Sequence, residues 1–233
     1  MFKHQGIWLP DGEKHFPEWM DSSGEVVEGR GTYQIKKWRA CLPWIKKWRR
    51  AIDVGSHVGF WTIQMEKRFD LVECFEPVKE MRDCWWLNME RRKPGSNVDV
   101  VMIPDGVSIW PMALAEFEGS VEMEYDPADS GGTHVRTTSV RSDQPVLARA
   151  LDSFDFEDVD FVKLDCEGYE DRVLAGAVAT LKRCRPCVIV EQKPHKLGPN
   201  FGIKGTPACD LLIGLGAKQR AVISGDHIFS WDA

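Results

Sequence analysis

The chain has 233 residues, 43% hydrophobic and 28% charged, a mixture that excludes a disordered polymer, a collagen-like repeat and a small disulfide scaffold. Its formal net charge is -6, yet residues 36–50 (KKWRACLPWIKKWRR) hold seven basic residues and no acid, leaving 23 basic and 36 acidic groups elsewhere. Trp38, Trp44 and Trp48 lie in that segment, so a basic, aromatic patch sits on an otherwise acidic chain. The seven cysteines form no regular framework, no run of about 18 apolar residues suits a membrane span, and the start has no signal-like apolar stretch. Reduced thiols in the cytoplasm and no membrane span are the expectation.

Residues 1–50 read as an N-terminal extension packing on the core, followed by one domain over 51–233. Within the extension a helix or helix pair, broken near Pro43, would bury the tryptophans on a sheet flank with the basic heads in water; Trp44 and Trp48 are four apart and share a helical face. From Arg50 the pattern turns regular: AIDVG (51–55) is a strand, 59–68 a helix, LVECFEP (71–77) a strand, and Val78 to about Arg92 a helix. After a Pro/Gly-rich stretch at 94–106 come strand candidates VSIWPMAL (107–114) and SVEMEY (120–125). The polar loop 126–135 follows, long enough to close over a site and mobile at Gly131-Gly132. VDFVKLDCEG (159–168) reads as a strand, YEDRVLAGAVATLKR (169–183) as one amphipathic helix and CVIVEQ (187–192) as a buried strand. At the end, AVIS (221–224) and HIFSW (227–231) suit an antiparallel hairpin. Alternating strands and helices predict a Rossmann-like, doubly wound α/β fold with a mostly parallel sheet between two helical layers.

In such a sheet ligands bind beyond the carboxyl ends of the strands. The first strand ends in Asp53-Val54-Gly55-Ser56-His57-Val58-Gly59-Phe60. This Gly-x-x-x-Gly is not the dinucleotide fingerprint, and Asp53 would repel a pyrophosphate while suiting a ligand with a cationic group. Glu76 follows Gly55 by 21 residues, near the spacing of about 20 at which an acid reaches a ribose diol. Ribose, a cationic amino-acid end and no phosphate describe S-adenosylmethionine better than NAD or ATP.

The order of motifs AIDVGSHVGFWT, CFEP, the Ala-Leu of WPMALAE, LDSFDFEDVDFVKLDCEGYEDRVLAGA and a strand ending in VEQ resembles the FkbM family of S-adenosylmethionine-dependent methyltransferases, from about Ala51 to Gln192. The resemblance implies a seven-stranded sheet with one antiparallel strand at the edge and a methyl donor across the ends of the first three strands. It places Asp53, Gly55, Ser56 and Gly59 at the methionine portion, Glu76 at the ribose and Ala113 at the adenine, with His57, Phe60, Pro77 and Asp165 as further donor-binding positions. Ser56-His57 stands where Ala-Asn is common in that family.

Methyl transfer from a sulfonium needs orientation, and a base when the acceptor is a hydroxyl. Asp165 and Glu167 follow the fourth strand; Glu191, Gln192, Lys193 and His195 follow the fifth. One arrangement is a divalent metal on Asp165, Glu191 and Gln192; the favoured one is metal-free, with Asp165 or Glu191 as base and His195 as a further catalytic candidate. Glu167 can equally cap the helix near Tyr169. Cys184-x-x-Cys187 and His134 read as structural. The reading is an O-methyltransferase acting on a sugar, another small molecule or a glycan. The alternatives are a nucleic-acid-directed enzyme using 36–50, or a donor-binding module without turnover.

Overall fold

The computed structural model describes residues 1–92, 101–125, 127–136, 145–193, 202 and 204–232. At its centre lies a seven-stranded sheet of β1 (Arg50–Val54), β2 (Leu71–Phe75), β3 (Val107–Trp110), β4 (Val159–Leu164), β5 (Cys187–Glu191), β6 (Lys218–Ile223) and β7 (Asp226–Ser230). The order across the sheet is β6-β7-β5-β4-β1-β2-β3. Strands β1 to β5 run parallel. The antiparallel strand is β7, in the edge hairpin, one place in from the margin with β6 outermost. Ser224 and Gly225 join the hairpin, both with positive φ, the turn geometry that follows the twist of two antiparallel strands.

The sheet is mostly parallel because its strands are buried on both faces. In β1, Ala51 joins one apolar cluster and Ile52 and Val54 the other; in β4, Phe161 joins the first and Val162 and Leu164 the second. This alternation turns Asp53 towards the same face as Ala51. Because the chain runs outward through β1, β2 and β3 and then returns to lay β4 on the other side of β1, a crevice opens at the carboxyl ends of β1 and β4.

The first cluster also takes in the N-terminal residues Ile7, Leu9, Phe16, Met20 and Trp38. The expected helix pair is one helix, Ile35–Cys41, and a single 3-10 turn, Leu42–Trp44, holding Pro43. Trp44 and Trp48 therefore share no helical face: Trp44 lies under the Arg220 guanidinium at 4.8 Å and Trp48 packs on Phe69 at 5.0 Å. Much of the basic charge is paired inside the molecule. Lys37 meets Asp226 at 2.7 Å, Arg49 meets Asp160 at 2.6 Å, and Arg50 meets Glu73 and Asp158.

Three further elements differ from the periodicity. The 59–68 helix contracts to Thr62–Met65. The 107–114 strand leaves the sheet at Pro111, after which Ala113–Leu114 pairs with Val146–Arg149 in a side sheet. The 169–183 helix is two, Glu170–Ala175 and Val178–Cys184. The break is tertiary: the Gly176 carbonyl accepts the Asp152 N–H at 2.9 Å, and the Asp152 carboxylate accepts the Ala179 and Thr180 N–H groups that open the second helix. Among the described residues no helix is long and apolar enough to cross a membrane. All seven cysteines are free.

Candidate active site

A cavity open to solvent lies at the carboxyl ends of β1, β2 and β4. Its floor is the turn after β1. Gly55 has φ 69°, and a Cβ there would stand 2.1 Å from the carbonyl oxygen of Asp165, so only glycine lets the β1 and β4 termini meet. The Gly55 and Ser56 N–H groups donate to the Phe75 carbonyl at 3.0 and 3.2 Å, binding the turn to the end of β2.

Glu76 follows directly. One carboxylate oxygen accepts the His57 N–H at 2.9 Å and the other the Val78 N–H at 2.8 Å, which fixes the plane of the group at the cavity wall. Burial pushes this carboxyl up to about 7, against the opposing pull of those two N–H groups and of Lys163.

Asp53 does not reach the cavity. It is wholly buried, takes the Thr62 hydroxyl at 2.8 Å, and faces the Lys163 ammonium at 3.4 Å. Lys163 in turn donates to the Val54 and Gly55 carbonyls at 3.1 and 2.6 Å. Burial works against the lysine charge, but Asp53 and Asp165 hold it above its ordinary range. The acid expected to meet a cationic ligand thus meets an internal cation, because strand alternation aims it at the sheet face. Gly59, φ 94°, lies behind the turn against the Trp85 ring.

Phe60, Pro77, Ala113 and Asp165 border the cavity with Ser56 and His57. The Ser56 hydroxyl and His57 Nδ1 are buried without a hydrogen-bond partner. Ser130 and Gly131, in the loop expected to close over a site, form part of the rim. Sequence reasoning missed Phe16 and Tyr33 of the N-terminal segment, which complete an aromatic wall with Phe60. It also missed Lys163, whose one legible signal was a cation inside a buried strand.

Oxygens of Asp165, Glu167 and Glu191 lie within 4.8 Å of one another. Asp165 and Glu167 border the cavity, whereas Glu191 is buried and ion-paired with Lys193. Gln192, the next residue, is buried. Its amide donates to Glu170 at 3.3 Å and accepts the Ala208 N–H at 3.1 Å. Glu170, the first residue of the helix expected to be capped by Glu167, accepts the Cys166 and Gly168 N–H groups of the turn before it; burial pushes Glu170 up to about 8. His195 lies outside the described residues.

Residues 53–203, the glycine turn through the acidic cluster, match the model of the methyltransferase FkbM domain. The chain belongs to the FkbM methyltransferase family. Its fold is similar to that of an FkbM methyltransferase from Methylobacillus flagellatus, with 13% identity and a TM-score of 0.50 over 79% of this chain and 43% of that one. The chain thus spans less than half of that protein's length. A precorrin-8w decarboxylase from Methanobacterium thermoautotrophicum matches with 16% identity and a TM-score of 0.45, over 85% of this chain and 90% of that one. A precorrin-6y C5,15-methyltransferase from Geobacter metallireducens matches with 11% identity and a TM-score of 0.44, over 97% and 98% of the two chains. No curated protein matches the sequence.

Glu13, Phe16 and Tyr33 all precede the matched residues. In this FkbM chain the first 50 residues therefore contribute part of the cavity wall, through Phe16 and Tyr33.

Proposed function

We propose that this FkbM chain transfers the methyl group of S-adenosylmethionine to a hydroxyl oxygen of a sugar, another small molecule or a glycan, with residues 1–50 as an extension to a methyltransferase domain over 51–233. The observation that carries the reading is the Glu76 carboxylate, fixed by two backbone N–H groups at the end of β2, with each oxygen keeping a lone pair for a diol. The unpartnered Ser56 hydroxyl and His57 Nδ1 beside it fit a ligand that brings both N–H and O–H groups. Pro77, Met81, Ala113 and Leu114 supply apolar walls for a planar base.

The bound donor supplies a methyl group on a cationic sulfur, open to in-line displacement. Asp165 borders the cavity beside the turn and is the residue that takes the acceptor proton. Glu191 is tied to the Lys193 ammonium. That pairing favours metal-free use of the three carboxylates, since one is already neutralised by a lysine. The internal pairing of Lys37, Arg49 and Arg50 favours a structural role for the basic segment over nucleic-acid docking. Seven free thiols suit a reducing compartment such as the cytoplasm.

Calorimetry tests the reading. S-adenosylmethionine should bind and NAD should not, and Glu76→Ala should abolish donor binding. Absence of donor binding, or affinity unchanged in Glu76→Ala, rejects the assignment.

A further inference from the structure

Glu13 is buried at the junction of the N-terminal segment with the rim loop. One carboxylate oxygen accepts the Phe16 N–H at 3.1 Å and the other the Ser130 N–H at 2.9 Å. The second oxygen also accepts the Ser130 hydroxyl proton. A serine has one hydroxyl proton, so with it given to Glu13, Ser130 Oγ can only accept from the His57 ring nitrogen Nε2, which lies 2.8 Å away. A neutral imidazole carries its proton on one nitrogen alone. Burial, and secondarily Lys163, push His57 down to about 3, so the ring is neutral at physiological pH. The proton sits on Nε2, and Nδ1, buried and without a partner, keeps its lone pair.

We propose that Glu13 and Ser130 are positioning residues for the cavity: they hold the His57 imidazole as the Nε2–H tautomer, so that Nδ1 stands as a hydrogen-bond acceptor for an N–H or O–H group of the bound methyl donor. The donor half of this statement rests on the proposed function; the tautomer does not. The same chain of bonds fastens the N-terminal segment and the rim loop to the glycine turn. Phe16 packs on the His57 ring at 4.9 Å between centroids, and the Lys14 N–H donates to the Ala128 carbonyl at 3.2 Å. The His57 N–H in turn holds Glu76, so a residue 63 positions earlier in the chain acts on the ribose-binding acid through two side chains, Ser130 and His57, and one backbone group.

Long-range ¹H–¹⁵N spectra of histidine-labelled full-length protein read the tautomer directly. The wild type should show a single His57 species protonated on Nε2. Ser130→Ala should yield a tautomer mixture and weaken S-adenosylhomocysteine binding about tenfold, the worth of one directed hydrogen bond. Ser130→Thr, which keeps the hydroxyl, should restore both readouts. A wild-type ring protonated on Nδ1, or Ser130→Ala with tautomer and affinity unchanged, overturns the proposal; the first needs no variant to fold. Adenosine as a second probe separates the ligand groups: weakening confined to S-adenosylhomocysteine assigns the amino-acid end, and weakening of both assigns a ribose hydroxyl. If the wild type shows Nε2–H but binds neither probe, the methyl-donor reading falls and with it the acceptor role of Nδ1, while the Glu13–Ser130–His57 relay stands.

Discussion

The Cα of Gly55 lies so close to the carbonyl oxygen of Asp165 that a Cβ would come within 2.1 Å of it. This approach joins the carboxyl ends of β1 and β4 and so makes one cavity of the glycine turn and the acidic end.

Gly55→Ala combines that collision with a positive φ that an L-residue resists. We expect a loss of at least about 2 kcal/mol of stability, read from urea unfolding midpoints, and no measurable donor binding in whatever protein remains folded. Wild-type stability in this variant would mean that the two strand ends are not in contact.

Donor affinity should depend on pH through Glu76. Its carboxyl is raised to about 7, and a proton on either oxygen removes a lone pair that the ribose diol needs. Calorimetric affinity should therefore rise with pH through about 7 and level off above it. In Glu76→Gln the affinity should be low and flat over the same range.

Fold stability should move the opposite way. Glu76 and Glu170, raised to about 7 and about 8, hold protons in the native state that the unfolded chain has released. Their contribution is fully present below the ordinary glutamate value of 4.5 and is lost as pH rises through the raised values. His57, lowered to about 3, has the reverse sign, but its contribution is complete once pH exceeds the ordinary histidine value of 6.5. Between pH 6.5 and 8.5 the glutamates dominate, and urea unfolding should show a loss on the order of 2 kcal/mol.

In the basic segment, Arg50 is held between Glu73 and Asp158, with its side chain 16% exposed. Arg50→Met strands the buried Glu73 charge and should cost about 2–4 kcal/mol. Lys36 and Lys47 are exposed, and Lys47→Gln should change stability by under about 0.5 kcal/mol. Once an acceptor is in hand, its binding should be insensitive to added salt; steep weakening would restore the nucleic-acid alternative.

Activity should survive exhaustive chelation and show no increase when Mg²⁺ is restored. Strict metal dependence would instead assign Asp165, Glu167 and Glu191 to a cation.

Sequence patterning was informative where neighbours in the chain are neighbours in space. The strands at 51–55, 71–77, 159–168 and 187–192 follow from apolar runs bounded by turn residues. The turn and Glu76 were legible because each directly follows a strand. Helix extents were not: 169–183 keeps its helical period across Gly176, and only Asp152 on another element breaks it in two. Asp53 shows the same limit on one residue, since its proximity to the turn was legible and its orientation depended on which face of β1 it shares with Ala51.

By itself, then, the sequence determined the α/β class and the strand-end positions of Gly55, Glu76 and Asp165, consequences of local period and turn chemistry, while the order of its motifs carried the resemblance to the FkbM family. Only the tertiary structure decided that Lys163 neutralises Asp53, that Glu170 binds the N–H groups of the turn after β4, that Gln192 faces Glu170 and Ala208, and that Glu13 meets Ser130 across 117 residues. The physical reason is the same throughout: a buried charge or hydroxyl must find a partner, and the partner is selected by which strands and loops the fold brings together.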